Sequence, residues 1–488
     1  MAFCKKNVAK IGLMCYYIYE IKYFKEINMK RIVCLLLIMS FLISLVSCDA
    51  FGLGKGGKIN GVNLKDYSIV YSDEDLDYSK RAAEYIQAKI LERTKVEIVL
   101  IEDSDAPVTE HEIVVGNTER DISKNLDADT EGLEFAILAD GGDIALEGDY
   151  FIIAAAAYFF IETYVPEAGC DTQVPEKVSI HTPIVEKANN FIMLIGDGMG
   201  FNHTLMFDYI DTELEYSDGE DIFYGYLLPY QGEAFTASLS GVTDSAAGGT
   251  ALACGRKTIN GYVGRDRNQK DIKSLTELAF EKEMSAGVMS TESKTGATPA
   301  AFSSHADARS DTSEIIISQA ETRAKYGTII DCSFDYYDKK YINNSVEKHI
   351  VDTLTKLEAN ENGFFLMYEE AHIDKHSHNN ELDRAYMAVV RFNQAIGRFM
   401  EYAFYNPDTF ILITADHETG DLYPNAQGEL KYHSTNHTGK NVPIFAYGDG
   451  AELFDGVKIQ NIQIAHTIAH FMGDDNFGDQ TYYTYLGK

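Results

Sequence analysis

The chain has 488 residues, with 42 basic and 75 acidic side chains and a formal net charge of −33. A composition of 45% apolar and 24% charged residues is typical of a folded protein and excludes a fibrous or wholly disordered chain. The acidic excess argues against binding of DNA or RNA through a basic surface, so an anionic substrate requires local positive charge. The length suggests two or three domains.

The first fifty residues are typical of a bacterial lipoprotein leader. A Met-Lys-Arg start at Met29 precedes an apolar run over residues 32–46, which is short for a transmembrane helix. The run ends in Leu-Val-Ser-Cys at Cys48, which resembles a lipobox and implies cleavage before Cys48 and a lipid anchor on its thiol. We expect a signal peptide over 1–47 with Met29 as the true start, a lipidated tether over 48–60, and a position on the extracytoplasmic face of a bacterial membrane. An ordinary signal peptide with an incidental cysteine is the alternative.

The cysteine content does not suggest a disulfide-built fold. Four of the seven cysteines lie within the first 48 residues, which leaves few for the rest of the chain. The other three, Cys170, Cys254 and Cys332, are odd in number, and we predict that they are buried thiols.

Residues 61–186 alternate short β-branched runs with amphipathic stretches, which predicts a small α/β accessory domain. The predicted elements are strands at 68–71, 96–101 and 112–116, a hairpin of 135–139 with 144–146, and helices over 79–93 and 150–164. This order resembles the accessory domain that precedes the catalytic barrel of α-glucuronidase-type glycoside hydrolases. Because no carboxylate pair in it is typical of a glycosidase acid and base, we predict a structural or docking role.

From residue 187 to the C terminus, apolar strands alternate with helices, which predicts a catalytic domain with a doubly wound α/β sheet. Strands at 191–195, 364–367 and 409–414 run into acidic residues, namely Asp197, Glu369 and Asp416. A further strand near 288–289 leads into a polar loop over 291–298. Ligand sites of such sheets lie outside the carboxyl ends of the strands, so we expect these acids to converge.

Histidines lie beside these acids. Asp374 and His378 are four residues apart, so one helical turn can present both to one ion, and oxygen with imidazole ligands suits zinc. His417 follows Asp416, and His437 lies in an Asn-His-Thr-Gly segment. A lone histidine is usually an ordinary surface or core residue, but acids and histidines after several separate strands favour a metal site.

Ser245 is the predicted nucleophile. It begins a small-residue helix, where unpaired amide protons and the helix dipole favour both an alkoxide and a bound phosphate. A helix N-cap serine is the alternative. No histidine stands beside it in the sequence and no Gly-x-Ser-x-Gly segment surrounds it, so metal activation is favoured over a Ser-His-Asp triad.

Together these segments resemble the alkaline phosphatase family over about 300 residues, from Asn189 to the C terminus. The matching motifs occur in the family's order: Gly196-Asp197-Gly198, Thr243-Asp244-Ser245-Ala246-Ala247, Ala297-Thr298-Pro299-Ala300, Ile373-Asp374-Lys375, Ala415-Asp416-His417-Glu418 and His437-Thr438-Gly439. The resemblance implies an alkaline phosphatase, a phosphoric monoester hydrolase that forms a phosphoserine on Ser245 and uses two Zn²⁺ ions and a third, Mg²⁺-like ion.

The resemblance also implies the ligands by position. One Zn²⁺ takes Asp374, His378 and His437, the other takes Asp197, Asp416, His417 and Ser245, and Mg²⁺ takes Asp197, Thr298 and Glu369. Arg309 matches the phosphate-binding arginine, whose guanidinium grips two phosphate oxygens, and Lys375 offsets phosphate charge through water. Positive charge gathered in the cleft in this way overcomes the screened surface charge.

The sequence departs from the family at several positions around the implied third ion. Gly296 stands where relatives often carry an acid or a histidine, and Glu370 stands where a glycine is common. Three further histidines lie close to the ligands, and we predict that His372, His376 and His433 form the rim of the site. The intervals between motifs are shorter than in the larger members, which predicts an open site.

Two alternatives to a phosphomonoesterase remain open. One is a phosphodiesterase or phosphomutase of the same superfamily, and Ser245 in place of threonine, together with Arg309, favours the monoesterase. The other is a non-catalytic binding protein of the cell envelope. A sulfatase is disfavoured because no Cys/Ser-x-Pro-x-Arg segment surrounds Ser245. The expected partners are a phosphate monoester substrate, the membrane through the lipid anchor and a second copy in a homodimer, with no nucleic acid.

Overall fold

The computed structural model describes residues 56–487, apart from 74, 76, 106, 127–129, 168, 210–221 and 334–341. The predicted signal peptide and Cys48 lie outside the described residues, as does most of the predicted tether. None of the helices in the described part of the chain combines the length and apolar character that a membrane crossing requires.

The N-terminal part forms a six-stranded sheet with the strand order β4-β3-β5-β7-β6-β9 and a small sheet with the order β2-β1-β8. Its strands are β1 (Lys58–Ile59), β2 (Val62–Asn63), β3 (Ser68–Tyr71), β4 (Val99–Glu102), β5 (Glu112–Val115), β6 (Phe135–Asp140), β7 (Asp143–Glu147), β8 (Asp171–Thr172) and β9 (Ser179–His181). Its helices are α1 (Tyr78–Thr94), α2 (Asp121–Asn125) and α3 (Ile152–Tyr164). Each element predicted for this region is present, and the predicted hairpin is the antiparallel pair β6–β7.

The C-terminal part is built on an eight-stranded sheet with the order β13-β12-β14-β10-β15-β20-β11-β21. Its strands are β10 (Asn190–Gly196), β11 (Tyr230–Phe235), β12 (Ser285–Ser290), β13 (Ile330–Ser333), β14 (Phe364–Glu370), β15 (Thr409–Thr414), β20 (Val442–Tyr447) and β21 (Lys458–Gln460). Short strands follow β15 and pair as β16 (Glu418–Thr419) with β19 (His437–Thr438) and β17 (Tyr423–Pro424) with β18 (Leu430–Lys431).

Helices connect the strands of this second sheet. They are α4 (Phe201–Thr204), α5 (Met206–Tyr209), α6 (Ser245–Cys254), α7 (Leu275–Glu281), α8 (Ala297–Ser303), α9 (Thr312–Tyr326), α10 (Ile342–Leu357), α11 (His372–His378), α12 (Leu382–Tyr405) and α13 (Ile462–Phe471). Strands β10, β12, β13, β14 and β15 are parallel, and successive strands are added on both sides of β10, as a doubly wound sheet requires. The predicted fold class is therefore confirmed. The central strands are fully buried, which explains their continuous apolar sequence.

The N-terminal unit packs on the C-terminal half of α12. Arg81 Nε lies 3.0 Å from a carboxylate oxygen of Glu401, and the rings of Tyr85 and Tyr405 stack with centroids 4.1 Å apart. Helix α12 follows β14 and returns toward the start of β15, so this contact lies at the end of the sheet opposite the carboxyl ends of the strands. The predicted docking or structural role for residues 61–186 stays a prediction.

The cysteines differ in part from the prediction. Cys254 is a free, buried thiol as expected, and burial raises its pKa. Cys170, in contrast, is disulfide-bonded, so the prediction of a buried thiol is wrong there. The side chain of Cys332 is outside the described part of the structure.

Acid stability provides a first test of the packing around His203. This residue is fully buried, its Nδ1 accepts a hydrogen bond from the Gly200 N–H at 3.1 Å, and its Nε2 lies 3.1 Å from Ser377 Oγ. Burial lowers the pKa of His203 from 6.5 to about 3. Between these values the unfolded chain binds a proton that the folded chain does not, so the free energy of unfolding falls as the pH falls.

We expect the free energy of unfolding of His203→Gln to depend less on pH. In the wild type, the full loss between the two pKa values is on the order of 5 kcal/mol. The measurement is the urea midpoint of the metal-free protein between pH 7 and pH 4.5. A variant of the partly exposed His470, His470→Gln, is the control and should follow the wild type. Parallel pH profiles for wild type and His203→Gln would contradict the proposed neutral, buried state of His203.

Candidate metal centre and nucleophile

The predicted acids converge at the carboxyl edge of the second sheet. Asp197 directly follows β10, Glu369 is the next-to-last residue of β14, and Asp416 lies two residues after β15. Strand β10 pairs in parallel with β14 on one side and with β15 on the other, so the three strands end side by side. The convergence expected from the sequence is therefore present in the structure.

Asp374, His378 and His437 form the first group of potential ligands. The Nε2 atoms of His378 and His437 are 3.0 Å apart, and they lie 3.4 Å and 3.5 Å from Asp374 Oδ1. Helix α11 carries Asp374 and His378 one turn apart, as their spacing predicted, and His437 comes from β19.

The hydrogen bonds of the two imidazoles fix their orientation. Nδ1 of His378 lies 2.6 Å from the carbonyl oxygen of Thr435, and Nδ1 of His437 lies 2.8 Å from that of Thr243. Since a carbonyl can only accept, each Nδ1 carries a proton, and in the neutral imidazole each Nε2 offers a lone pair. Two lone pairs 3.0 Å apart beside a carboxylate repel one another unless a cation lies between them.

Asp197, Asp416 and His417 form the second group, which is buried. His417 Nε2 lies 3.4 Å from Asp197 Oδ1 and 3.4 Å from Asp416 Oδ2. These two carboxylate oxygens accept no hydrogen bond from any residue that the structure describes. Tetrahedral zinc with bonds of about 2.0–2.1 Å separates its ligand atoms by about 3.3 Å, which matches the spacing in both groups.

Ser245 is the first residue of α6 and lies against the second group. Its Oγ is 3.1 Å from His417 Nε2. The helix is capped by Asp244, whose Oδ1 accepts a hydrogen bond from the Ala247 N–H at 3.0 Å, so the alternative that Ser245 is the N-cap is excluded. The small residues of α6 permit this approach, since a Cβ on Gly248 would lie 2.9 Å from the Asp416 carbonyl oxygen.

A Ser-His-Asp triad does not fit this arrangement, although the structure places a histidine beside the serine. In a triad, the serine and the carboxylate contact opposite nitrogens of the imidazole. Here both Ser245 Oγ and the carboxylates face Nε2 of His417, whereas its Nδ1 lies 3.2 Å from Thr419 Oγ1. Burial and the nearby His437 lower the pKa of His417 to about 3, which makes it a weak base.

Thr298 and Glu369 lie beside Asp197 as the implied third site. Both are fully buried, and the Thr298 hydroxyl faces the Glu369 carboxylate. Glu369 Oε2 accepts a hydrogen bond from Ser290 Oγ. An oxygen-only set of this kind suits a hard cation such as Mg²⁺.

Burial and mutual repulsion disfavour the charged forms of the buried carboxylates. Burial, and then the charge of Asp416, raises the pKa of Asp197 well above its usual value. Burial and Asp374 raise the pKa of Asp416 to about 7, and burial raises the pKa of Glu369. Bound divalent cations would remove this cost, so the residues present fit the implied metals.

The two predicted cationic residues, Arg309 and Lys375, pair with different acidic residues. Arg309 is 41% exposed, and its Nη1 lies 3.5 Å from Asp244 Oδ2, next to Ser245. Lys375 points its Nζ at Glu292, 2.8 Å from Oε2. Sequence reasoning missed Glu292, which lies in a loop without periodic pattern and carries no motif.

The three histidines predicted at the rim do not join either ligand group as the structure describes them. His433 stacks on Tyr423 with centroids 3.6 Å apart, and His376 Nδ1 lies 2.9 Å from a carboxylate oxygen of Glu381. His372 is only 2% exposed and lies 3.2 Å from Glu370, so its predicted rim position is wrong. Its Nδ1 lies 3.2 Å from both Glu370 Oε1 and Thr291 Oγ1.

Comparison with known proteins finds relatives of the C-terminal part of the chain. The sequence model of the family described as "Alkaline phosphatase" matches residues 188–334 and 330–427. "Alkaline phosphatase 4" of Bacillus subtilis (strain 168) is 28% identical over 329 residues, which cover 55% of this chain and 69% of that protein. The solved structure of alkaline phosphatase from the Antarctic bacterium TAB5 has a TM-score of 0.52 and 24% identity and covers 59% of this chain and 98% of that one. A mutant of the TAB5 enzyme with Mg bound in its M3 site has a TM-score of 0.50 and 24% identity, with coverages of 59% and 99%.

The fold and these relatives place the C-terminal part of the chain in the alkaline phosphatase superfamily, and this membership supports a phosphoester hydrolase. More narrowly, residues 188–427 match the alkaline phosphatase family domain. The resemblance of residues 61–186 to a glycosidase accessory domain stays a prediction.

Proposed function

We propose that this protein hydrolyses phosphate monoesters through a phosphoserine on Ser245, with two Zn²⁺ ions and one Mg²⁺ ion. The convergence of two ligand groups on one serine hydroxyl carries the proposal. Ser245 Oγ lies 3.1 Å from Nε2 of His417, and the ring of His417 stacks on that of His437 from the other group, with centroids 3.7 Å apart. Cations held by the two groups would supply positive charge on both sides of the Ser245 hydroxyl, which would stabilise the negative charge of a phosphoryl transfer.

The proposed zinc ligands are the two groups already described. Asp374, His378 and His437 would hold one ion, and Asp197, Asp416 and His417 would hold the other. When bound, Zn²⁺ supplies positive charge that neutralises the phosphate dianion and lowers the pKa of hydroxyl groups and water. The positions of the carboxylate and imidazole atoms determine where the positive charge of the metal would lie. Each imidazole is held in place by a hydrogen bond from its Nδ1.

Ser245 would carry out the covalent step. Its Oγ gives up its proton to solvent and attacks phosphorus. The Oγ–P bond forms as the bond from phosphorus to the leaving alkoxide breaks, and the alkoxide takes a proton from solvent. Water then attacks the phosphoserine, releases inorganic phosphate and returns the proton to Oγ. The first turn of α6, a helix of ten residues, directs amide protons toward the transferred phosphoryl group.

The third proposed site uses oxygen ligands. Asp197, Thr298 and Glu369 would hold Mg²⁺, a hard cation that prefers oxygen. Mg bound at M3 of the TAB5 mutant supports a third ion here. Thr298 and Glu369 each bring a fully buried oxygen, and the two side chains face one another, which further supports the assignment.

The reaction class can be tested with two model substrates. We expect the purified full chain to hydrolyse p-nitrophenyl phosphate much faster than bis-p-nitrophenyl phosphate, and we expect a chelator to abolish turnover until Zn²⁺ is restored. Faster hydrolysis of the diester would favour a phosphodiesterase. Phosphoryl transfer without release of phosphate would favour a phosphomutase. Binding of phosphate without turnover would favour an envelope binding protein.

Arg309 is proposed to bind the phosphate of the substrate. Charge-assisted hydrogen bonds contribute about 1.5–3 kcal/mol each, so Arg309→Ala should raise KM and the inhibition constant for inorganic phosphate by about 10- to 100-fold. Arg309→Lys should give a KM and an inhibition constant between those of the wild type and Arg309→Ala. Lysine keeps the positive charge but cannot grip two phosphate oxygens at once. Arg323→Ala, which removes a comparable surface arginine paired with Asp331, is the matched control. An unchanged inhibition constant in Arg309→Ala would remove Arg309 from the site.

The cellular position is a separate proposal. We infer from the sequence around Cys48 that the protein is lipid-anchored on the outer face of a bacterial membrane. Labelled palmitate should be incorporated into the wild type and lost in Cys48→Ser, which should also leave the membrane fraction. Incorporation that persists in Cys48→Ser would contradict the proposal. The predicted homodimer and the domain boundaries stay predictions.

A further inference from the structure

Glu292 lies in the loop between β12 and α8, next to the third proposed metal site. Its backbone N–H donates a hydrogen bond to Ser290 Oγ at 3.0 Å, and the same Oγ donates to Glu369. One hydroxyl therefore fixes this loop next to a proposed Mg²⁺ ligand. The Glu292 side chain is 18% exposed, and its carboxylate pairs with Lys375.

Gly296 leaves the space that Glu292 fills. A Cβ at position 296 would lie 1.8 Å from Glu292 Oε1 and 2.3 Å from its carboxyl carbon. The backbone at Gly296 has φ −56° and ψ 156°, which any residue can adopt, so no backbone strain requires glycine here. The Glu292 carboxylate can therefore occupy its position because residue 296 has no side chain.

Lys375 holds the other oxygen of this carboxylate. Its Nζ lies 2.8 Å from Glu292 Oε2, and Lys375 directly follows the proposed zinc ligand Asp374 in α11. Ser290 and Lys375 thus hold Glu292 between a proposed Mg²⁺ ligand, Glu369, and a proposed zinc ligand, Asp374.

We infer that Glu292 completes the oxygen shell of the third cation site, with Lys375 positioning its carboxylate and Gly296 making room for it. The inference rests on the proposed function, since it adds a residue to the Mg²⁺ site proposed above. Mg²⁺ binds through a few carboxylates and retains water molecules, so a further carboxylate strengthens the site by contacting the ion or its waters. Glu292 is a binding residue for the cation, and no step of the chemistry is assigned to it.

The test is a titration of Mg²⁺ into the zinc-loaded full chain, followed by isothermal calorimetry. Loss of a supporting carboxylate typically weakens metal binding by 10- to 100-fold, and we expect that loss in Glu292→Gln, with two Zn²⁺ per chain retained. Glu281→Gln is the matched control, because Glu281 makes a similar ion pair with Lys273 at 2.9 Å. The control should bind Mg²⁺ as the wild type does.

A second variant guards against a merely structural effect. Glu292→Ala combined with Gly296→Asp removes the original carboxylate and supplies another in the space it vacates, so Mg²⁺ affinity should return to within a few-fold of the wild type. Gly296→Asp alone should not strengthen binding, because its side chain overlaps Glu292. Wild-type affinity in Glu292→Gln, or failure of the double variant to restore affinity, would overturn the inference.

These outcomes are distinct from failure of the proposed function. A wild-type protein that binds no Zn²⁺ or does not hydrolyse p-nitrophenyl phosphate contradicts the phosphomonoesterase proposal. Normal zinc content and turnover, with Mg²⁺ binding that is insensitive to Glu292, contradict only the role of Glu292.

Discussion

Replacing Ser245 with alanine should lower kcat/KM for p-nitrophenyl phosphate by about 10³-fold or more, because the nucleophile of the covalent step is lost. Labelling of the protein by ³²P-phosphate at acid quench should disappear with it. The fold should be unaffected, because Ser245 is followed by alanines in α6 and the cap of that helix comes from Asp244. The zinc content should stay close to the wild-type value, because three ligands remain in each group.

Ser240→Ala provides the control for this variant. Ser240 lies five residues upstream on an exposed loop, and its Oγ accepts a hydrogen bond from the Asn260 N–H at 3.1 Å. We expect wild-type activity and labelling in this variant. Retention of phosphoserine labelling in Ser245→Ala would place the nucleophile elsewhere, and retention of activity without labelling would indicate direct attack by water.

Replacing His437 with asparagine should remove one of the two Zn²⁺ ions per chain and reduce turnover by about 10³-fold or more. His437 Nε2 lies 3.0 Å from His378 Nε2, and no other described histidine is placed to substitute for it in this group. Asparagine can still donate to the Thr243 carbonyl, so the local backbone keeps a hydrogen-bond partner. Metal content is measured by mass spectrometry after dialysis against a zinc buffer.

The matched control is His433→Asn, four residues away. His433 is exposed and stacks on Tyr423, so the variant should keep two Zn²⁺ ions and normal turnover. Loss of a zinc ion from His433→Asn and not from His437→Asn would exchange the roles of these residues and contradict the ligand assignment.

Local sequence patterns predicted the parts of the site that depend on short-range geometry. The spacing of Asp374 and His378 fixes one helical turn, and α11 supplies it. The apolar strands that run into Asp197 and Asp416 could be placed at one edge because parallel strands of such a sheet end together. Each of these inferences needed only a strand or a helix of known periodicity.

Features that depend on distant contacts could not be predicted in this way. Glu292 joins the site because a residue four positions later lacks a side chain, and no periodic pattern records that relation. The sequence predicts His372 at the rim, but the residue is buried. The sequence does not show that its neighbour Glu370 is buried and lies 3.3 Å from Arg391. The docking of the N-terminal unit on α12 rests on contacts between residues about 320 positions apart, such as Arg81 with Glu401.

The central claim is that two divalent ions lie between defined side chains beside Ser245. Anomalous diffraction from crystals of the purified full chain, recorded on both sides of the zinc absorption edge, tests it most directly. We expect two zinc peaks per chain about 4 Å apart, one among Asp374, His378 and His437 and one among Asp197, Asp416 and His417. A protein saturated with zinc that shows no peak in either group, or peaks only on other side chains, would contradict the account.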